Sequence, residues 1–235
     1  MNLPDGKPDT PNPAPMVQSR QLPRLLLIGL NHTSAPVDLR ECLAFSDAEN
    51  ERALSSLKRR DAVEEVLILS TCNRMEVLLT THDPAGAEKT VKSHIAETKS
   101  VPVHRFEPAM YIYSDDAAVR HVFRVAASLD SMIVGEPQIL GQVKSAYKTA
   151  VDNKGAGVII NRLLHKTFST AKRVRSETGI GDRAVSISYA AVELAGKIFG
   201  RLEDKTVLLV GAGEMAELAV EHLHRSGASG RLFVA

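Results

Sequence analysis

The chain has 235 residues, of which 44 % are hydrophobic and 24 % are charged, and its formal net charge at pH 7 is +1. This length allows two domains that each bury a core. The near-neutral charge excludes a chain-wide electrostatic footprint for nucleic acid, so any such contact requires a local patch. The two cysteines, Cys42 and Cys72, are too few for a disulfide framework and favour a reducing compartment.

Residues 1–23 contain six prolines among polar residues and lack the apolar segment of a secretory signal. This composition predicts a disordered tail. The longest apolar stretch, Leu25 to Leu30, is far too short to span a bilayer. We therefore expect a soluble, cytoplasmic protein that makes no membrane contact.

The segment after the tail alternates between apolar runs and helical patterns. It predicts strands at 24–31, 64–70 and 74–81, a helix from the capping residues Ser46 and Asp47 to Arg60, a helix at 84–99, and a further strand between Val103 and Tyr113. The order β-α-β-β-α-β predicts a ferredoxin-like α/β sandwich.

From Ser114 onward the pattern is mainly helical. It predicts a helical extension with helices at 115–129, 138–153 and 158–178, a flexible joint at 179–181, and then a helix at 186–199, a strand at 206–210, a helix at 214–226 and a strand start at 231–235. We therefore expect a catalytic domain at 24–180 and, at 181–235, a Rossmann-type domain that the chain contains only in part.

Cys72 is central to the pentad Ser70-Thr71-Cys72-Asn73-Arg74, a polar island between two apolar strands. Polar neighbours and a permanent cation favour the nucleophilic thiolate. The alternative is a structural cysteine half buried under a loop, which composition alone favours. Cys42, within Leu39 to Phe45, is predicted to be an ordinary packed residue.

A glycine-rich turn follows the apolar strand at 207–210 and opens a helix. Gly211, Gly213 and Ala216 match the dinucleotide fingerprint, in which glycines allow a tight turn and close approach of the pyrophosphate. The alternative is a turn that binds nothing. The residue that would distinguish NAD from NADP falls just past Ala235. Together with Cys72, the motif predicts attack on an acyl group followed by reduction of the thioester.

His121 is the candidate acid/base partner of the thiol. It points away from the apolar stripe of its helix (Val119, Val122, Phe123, Ala126 and Leu129), toward the side carrying Ala117 and Ser128, so it is either solvent-exposed or lines a cleft covered by another element. The following loop, Asp130 to Gln138, could position a polar substrate or could simply cap helices. No His, Cys or carboxylate cluster has metal-ligand spacing, so no metal is expected.

A basic stripe lies on one face of the helix at 158–178. It consists of Arg162, His165, Lys166, Lys172 and Arg173. Such a stripe could contact nucleic-acid phosphates, although a charged helix face is more often simply solvated.

Five segments of the chain resemble the glutamyl-tRNA reductase family. They are LLLIGLNHTSAPVDLRE (25–41), ILSTCNRMEVL (68–78), HVFRVAASLDSMIVGEPQILGQVK (121–144), VSISYAAVELA (185–195) and VLLVGAGEMAELA (207–219). The resemblance implies NADPH-dependent reduction of the glutamyl group of glutamyl-tRNA to glutamate-1-semialdehyde, the first step of the five-carbon route to 5-aminolevulinate and tetrapyrroles. It also implies a metal-independent enzyme.

The resemblance further implies residue roles. Cys72 would be the nucleophile and His121 an acid/base or orienting group, while Arg74 would engage the side-chain carboxylate of the glutamyl group. The implied substrate-binding residues are Thr71, Asn73, Arg74, Ser131, Glu136, Gln138 and Gln142. The implied NADPH-binding residues are Gly211, Ala212, Gly213, Glu214 and Met215.

The family forms homodimers through a C-terminal helical domain and passes its product to glutamate-1-semialdehyde aminotransferase. Neither that domain nor the rest of the nucleotide domain is expected in these 235 residues. Two other functions fit the patterns less fully: a cysteine-dependent aldehyde or semialdehyde dehydrogenase with a small acyl substrate, and a non-catalytic RNA-binding module that uses the basic stripe.

Overall fold

The computed structural model of the chain describes residues 22–180, 187–211, 213–228 and 230–235. The predicted tail therefore lies outside the described residues except for Leu22 and Pro23. Gly181 of the predicted joint and Ala212 of the glycine turn also lie outside them.

Four strands form an antiparallel sheet in the first part of the chain. They are β1 (Arg24–Asn31), β2 (Glu65–Ser70), β3 (Arg74–Thr81) and β4 (Tyr111–Ser114), in the spatial order β2-β3-β1-β4. In this order β3 lies between β1 and β2, which run in the same direction, and β1 lies between β3 and β4. Two interlocked βαβ units of this kind define the ferredoxin-like sandwich, and the predicted fold class is confirmed.

The first crossover contains two helices, α1 (Val37–Leu43) and α2 (Asp47–Leu57), and the second contains α3 (Pro84–Lys99). The predicted capping of α2 is present, because the side chains and backbones of Ser46 and Glu49 form a reciprocal capping box. At the start of α3, Asp83 accepts a hydrogen bond of 3.0 Å from the backbone N–H of Gly86.

The strand predicted between Val103 and Tyr113 is wrong for most of that range. Residues Val103–Phe106 form the short helix α4, a 3₁₀ turn follows at Glu107–Ala109, and only Tyr111–Ser114 is extended. Proline is well tolerated in the first turn of a helix, and Pro102 and Pro108 start these two turns. Phe106 is completely buried and fixes the helical segment against the core.

Three helices follow the sheet and cover its second face. They are α5 (Asp115–Ala126), α6 (Gln138–Asp152) and α7 (Val158–Glu177). Leu27, Leu67 and Leu78 border the same small internal gap as Val122 of α5, Val143 of α6 and Leu164 of α7. Every residue of β3 is buried, as expected for a strand covered on both faces. The helical extension is therefore a packed layer of the first domain.

Two details fix the ends of this layer. Glu65 at the start of β2 accepts hydrogen bonds from the backbone N–H groups of Ile159 (3.0 Å) and Ile160 (2.7 Å), which supplies partners to the first turn of α7. The helix predicted to end at Leu129 ends at Ala126, because Ser128 adopts a left-handed conformation (φ 62°) that starts a loop.

The last part of the chain has its own small core. It contains α8 (Ile187–Phe199), β5 (Val207–Leu209), α9 (Glu214–Arg225) and β6 (Leu232–Val234), with β5 and β6 parallel. Val192, Leu202 and Leu223 are buried together. This strand-helix-strand unit is the predicted start of a Rossmann-type fold.

Within the described ranges, no helix combines the length and the hydropathy required to cross a bilayer.

Candidate active site

Cys72 is the exposed tip of the turn that joins β2 to β3. Its neighbours hold the turn in shape: the Thr71 hydroxyl accepts hydrogen bonds from the backbone N–H groups of Asn73 and Arg74, both at 3.2 Å. The Thr71 N–H in turn donates to the Arg74 carbonyl at 2.8 Å. A thiol fixed in an exposed turn is accessible to a substrate, unlike the half-buried structural cysteine of the alternative interpretation.

Arg40 of α1 holds the same turn from the other side. Its Nη1 donates to the Cys72 carbonyl oxygen at 2.5 Å and to Asn73 Oδ1 at 3.2 Å, and its Nε donates to the Ala35 carbonyl at 3.3 Å. Arg40 is buried, so its charge acts in a region with little water. No pattern in the sequence alone indicates this role for Arg40.

A buried polar cluster lies behind the turn, centred on Glu76 of β3. Glu76 Oε1 accepts hydrogen bonds from Arg74 Nη1 at 2.7 Å and from the Tyr111 hydroxyl at 2.5 Å, and it lies 2.7 Å from His121 Nε2. Burial alone would raise the pKa of Glu76, but the contacts with His121, Arg74 and Tyr111 outweigh it and lower the pKa below its ordinary value. Glu76 is therefore an ionised carboxylate inside the protein.

Strand register explains how this cluster forms. Gly29 of β1 pairs with Glu76 on one side and with Tyr111 of β4 on the other. A Cβ at Gly29 would lie 2.7 Å from the Glu76 Cγ and 2.6 Å from the Met75 carbonyl oxygen, closer than packing allows. The missing side chain at Gly29 lets Glu76 and Tyr111 meet across the central strand.

Arg74 connects the cluster to the loop after α5. It is only 1 % exposed, donates from Nη2 to the Asp130 backbone carbonyl, and lies 3.5 Å from Asp130 Oδ2. Burial opposes the charge of Arg74, but Glu76, Tyr111 and Asp130 raise its pKa above the ordinary value. The guanidinium thus brings the Cys72 turn and the Asp130-Ser131 loop together. Its predicted contact with a substrate carboxylate stays a prediction.

His121 is buried, and the structure supports the covered alternative for this residue. Its ring lies 5.4 Å from the Tyr111 ring and 4.9 Å from the Tyr113 ring, so β4 covers it. The predicted apolar stripe of α5 needs correction, since Leu129 is exposed whereas His121 and Ala118 are buried. The face of α5 that packs on the sheet therefore includes His121, because His121 contacts the buried carboxylate of Glu76.

The loop between α5 and α6 is fixed by local hydrogen bonds. The Ser128 hydroxyl donates to the Glu136 carbonyl at 2.6 Å, and the Gly135 N–H donates to the Ser128 carbonyl at 3.1 Å. Glu136 is buried, and burial raises the pKa of its carboxyl. Ser131 is half-buried. The substrate contacts of Ser131 and Glu136 stay predictions.

Gln138 and Gln142, the remaining predicted substrate-binding residues, lie on the first turns of α6. They border an open cleft that also reaches Ser70, two residues before Cys72.

The prediction that Cys42 is an ordinary packed residue is wrong. Cys42 is exposed, because the buried residues of its short helix are Arg40 and Leu43.

His32 follows β1 and is a further candidate, whose role no pattern in the sequence alone indicates. Strand pairing ends at Asn31 opposite Arg74, so His32 continues alongside the Cys72 turn. Its Nδ1 is buried without a hydrogen-bond partner among the described residues. Burial and the neighbouring cations Arg74 and Arg40 lower the pKa of His32, while Asp130 opposes this change. A neutral imidazole with a free nitrogen beside the turn suits hydrogen bonding to a polar substrate.

The glycine turn of the second unit fits a dinucleotide. Gly211 has φ +102°, a conformation that disfavours other residues, and no atom lies within 4 Å of a Cβ built at Gly211 or Gly213. Gly213 is the N-cap of α9, so the N-terminal N–H groups of that helix lie next to the turn. Met215 is partly exposed, and its carbonyl accepts a hydrogen bond from the Ser188 hydroxyl at 2.8 Å. Ala212 and the Glu214 side chain lie outside the described atoms.

Within the described part of the chain, no group of three His, Cys, Asp or Glu residues could hold a metal ion.

Sequence comparisons agree with this architecture. The family described as "Glutamyl-tRNAGlu reductase, N-terminal domain" matches residues 28–178, and the family "Shikimate / quinate 5-dehydrogenase" matches residues 193–235. A glutamyl-tRNA reductase of Desulfatibacillum aliphaticivorans is 56 % identical over 90 % of this chain and 48 % of its own length. Those of Pelobacter propionicus and Geobacter sulfurreducens are each 53 % identical, over 88 % of this chain and 48 % of their own lengths.

A solved structure is similar as well. The glutamyl-tRNA reductase from Methanopyrus kandleri matches with a TM-score of 0.62 and 32 % identity, over 89 % of this chain and 48 % of that chain. The chain thus spans about half the length of the relatives it matches.

These relatives are reductases by name, and this chain shares the fold of one of them over 89 % of its length. Because the family match covers more than half of the residues, the chain belongs to the glutamyl-tRNA reductase family.

Proposed function

We propose that this chain carries the acyl-transfer half, and the start of the hydride-transfer half, of an enzyme that converts glutamyl-tRNA to glutamate-1-semialdehyde. The Cys72 thiolate attacks the carbonyl carbon of the glutamyl ester. The ester C–O bond breaks, and the departing ribose oxygen takes a proton from water in exchange for the one that the Cys72 thiol gave up on ionising. The tRNA leaves with its terminal hydroxyl, and a glutamyl thioester remains on Cys72. This is the first step of the five-carbon route to 5-aminolevulinate and tetrapyrroles.

One observation carries the proposal: Cys72 is exposed at the tip of a turn that is fixed on both sides. Thr71 holds the turn from within and Arg40 holds its backbone from outside. A nucleophile gains from such fixation because less orientational freedom is lost on reaching the reactive geometry. The fixed turn, together with family membership, favours thiol catalysis over the RNA-binding alternative.

The substrate pocket of this proposal surrounds the turn. Thr71, Asn73, Ser131, Gln138 and Gln142 would contact polar atoms of the glutamyl ester, and Glu136 would support the loop that carries Ser131. Arg74 would attract the side-chain carboxylate, but its Nη2 already donates to the Asp130 carbonyl. We therefore expect Asp130 to move aside when the substrate carboxylate binds. His121 would orient Glu76 and thereby Arg74.

NADPH would bind the glycine turn, with Gly211, Ala212, Gly213, Glu214 and Met215 along it, and it would supply the hydride that reduces the thioester. The open space at Gly211 and Gly213 and the N-terminus of α9 support this fit. Release of the aldehyde breaks the C–S bond and returns Cys72 to the thiolate. No metal takes part in this scheme.

The proposal extends to the setting of the whole enzyme. A cytoplasmic location keeps Cys72 reduced. A homodimer formed through a further helical domain, and transfer of the reactive semialdehyde to glutamate-1-semialdehyde aminotransferase, follow from the family resemblance.

The discharge of glutamyl-tRNA tests the acyl transfer directly. With enzyme in excess, the wild-type chain should release free tRNA from labelled glutamyl-tRNA in one stoichiometric turnover. Cys72→Ser should abolish this release while leaving tRNA binding intact. Cys42→Ser is the matched control, because Cys42 is the other exposed free cysteine, and it should react like the wild type. Equal discharge by the Cys72→Ser variant would refute the proposal.

A further inference from the structure

His121, the histidine that the family resemblance associates with the thiol, is engaged elsewhere. Its Nε2 lies 2.7 Å from Glu76 Oε1, and its ring is buried behind the turn under the tyrosines of β4. Cys72, in contrast, is exposed at the tip of the turn. A ring held by a buried, ionised carboxylate is poorly placed to exchange a proton with an exposed thiol. Acyl transfer therefore requires a different proton acceptor.

His32 lies in a second turn, which one guanidinium joins to the Cys72 turn. Arg40 donates from Nη1 to the Cys72 carbonyl and from Nε to the Ala35 carbonyl. The backbone of residues 31–35 and the backbone of the cysteine turn are thus held together by a single buried side chain. His32 is the histidine of that segment.

The turn is fixed by groups other than the His32 ring. Asn31 Oδ1 accepts from the Thr33 N–H at 2.9 Å and from the Ser34 N–H at 3.2 Å, and the Asn31 N–H donates to the Ser34 hydroxyl at 3.0 Å. His32 Nδ1 is buried and has no hydrogen-bond partner among the described residues. A buried polar atom without a partner is costly, so it calls for an explanation, and a catalytic role is one.

The charges that face His32 come from three elements. Burial disfavours an imidazolium, as do Arg74 of β3 and Arg40 of α1, whereas Asp130 of the loop after α5 favours one. Together they lower the pKa of His32 below its ordinary value, so the ring is neutral at pH 7 and can accept a proton. The two cations favour prompt release of that proton, while Asp130 reduces the cost of holding it.

From these features we propose that His32 is the proton relay of acyl transfer. The inference rests on the proposed function, in which Cys72 attacks the glutamyl ester. The imidazole accepts the proton of the Cys72 thiol, directly or through one water, as the S–C bond forms. When the ester C–O bond breaks, the imidazolium returns that proton through water to the departing ribose oxygen. One S–H bond is exchanged for one O–H bond, His32 ends neutral, and no oxidant or reductant takes part.

The pH dependence of acylation tests the acceptance of the proton. A thiol without a base reacts through its thiolate, whose fraction rises about tenfold per pH unit below about pH 8.5. With His32 as acceptor, single-turnover discharge of glutamyl-tRNA by the wild type should change by no more than about twofold between pH 7 and pH 8, because the ring is neutral throughout this range. In His32→Gln it should rise about tenfold over the same interval.

Two acyl donors test the return of the proton. One is glutamyl-tRNA, whose departing ribose oxygen needs a proton, and the other is a glutamyl benzyl thioester, whose departing thiolate does not. At pH 7, His32→Gln should slow acylation of Cys72 from glutamyl-tRNA about 100-fold, but acylation from the thioester only about tenfold. His82→Gln is the matched control: His82 is about half exposed, beyond the end of β3 opposite the cysteine turn, and neither rate should change.

Retained tRNA binding by His32→Gln shows that the variant is folded, and the wild-type pH profile decides the question even if the variant does not fold. A rise of about tenfold in the wild-type rate between pH 7 and pH 8, or equal losses with both donors in His32→Gln, would overturn the relay while leaving acyl transfer to Cys72 intact. If wild-type Cys72 accepts no glutamyl group from either donor, the proposed function fails and the relay fails with it.

Discussion

Glu76 is the residue on which the geometry behind Cys72 depends. Its carboxylate joins Arg74 from its own strand, Tyr111 from β4 and His121 from α5 at a single oxygen atom. Burying an ion pair carries a desolvation penalty. Removing one partner by mutation destabilises the fold further, because the other partner keeps a buried charge without a counter-charge. Arg74 would be that partner.

We expect Glu76→Gln to lower the free energy of unfolding by about 3 kcal/mol at pH 7. The folded-state pKa of Glu76 is lowered from 4.5, so its stabilisation is complete above that value and is lost as the pH falls through the folded-state pKa. Glutamine does not titrate. The stability gap between wild type and variant should therefore narrow in acid, which urea unfolding at a series of pH values measures.

Glu64→Gln is the matched control for this measurement. Glu64 also pairs with a histidine, at 2.9 Å from His82, but both side chains are about half exposed. An exposed pair contributes little, so this variant should stay within about 0.5 kcal/mol of the wild type. A Glu76→Gln variant as stable as the wild type at pH 7, or a gap independent of pH, would contradict the role of Glu76.

At the scale of elements, local patterns sufficed to predict where most helices and strands lie. Continuous apolar runs located β1 and β2, and a run with partial alternation located β3; their order predicted the correct sheet. The segment 103–109 could not be assigned in this way, since its helical turns depend on Phe106 filling the core and on two prolines. Tertiary burial overrides local propensity in so short a segment.

The candidate site was predictable only in part for a similar reason. Cys72 is identified by its polar pentad, whereas the Glu76 cluster depends on strand register across Gly29. A signal for Glu76 was present, since it is a charged residue among Met75, Val77, Leu78 and Leu79. Arg40 and His32 become recognisable only once α1 and the end of β1 lie against the turn.

The basic stripe on α7 is a further element whose function the sequence pattern left open. Its five residues are exposed, but two of them have local partners: Arg173 pairs with Glu177 at 2.8 Å, and His165 lies 3.2 Å from the Tyr147 hydroxyl. Contact with tRNA phosphates by this helix stays a prediction. Lys166 and Lys172 are the residues best suited to test it.

Lys166→Glu combined with Lys172→Glu should weaken tRNA binding and reduce the slope of log affinity against log salt by about two. Filter binding at several salt concentrations measures both effects. Lys89→Glu with Lys197→Glu makes the same change in net charge at exposed positions on other helices, and it should leave the slope nearly unchanged. Identical slopes for the two double variants would show that the α7 stripe is only solvated.

At the scale of the whole molecule, the described residues form two hydrophobic cores of very different size. The larger core joins the sheet with α1 to α7, while Val192, Leu202 and Leu223 form the smaller one. Leu208, Val210, Phe233 and Val234 of the second unit are exposed, and the chain spans 48 % of the length of its relatives. Cys72 and its supporting residues all belong to the part of the chain that forms the larger core, so acyl transfer should proceed without hydride transfer.

The most direct test of this account is to locate the glutamyl group after the chain meets glutamyl-tRNA without NADPH. The mixture is quenched in acid, which preserves thioesters, and its peptides are mapped by mass spectrometry. The account predicts one added glutamyl group on the Cys72 peptide, removed by hydroxylamine, and none on the Cys42 peptide. Discharge of the tRNA with no adduct at Cys72, or with the adduct elsewhere, would contradict it.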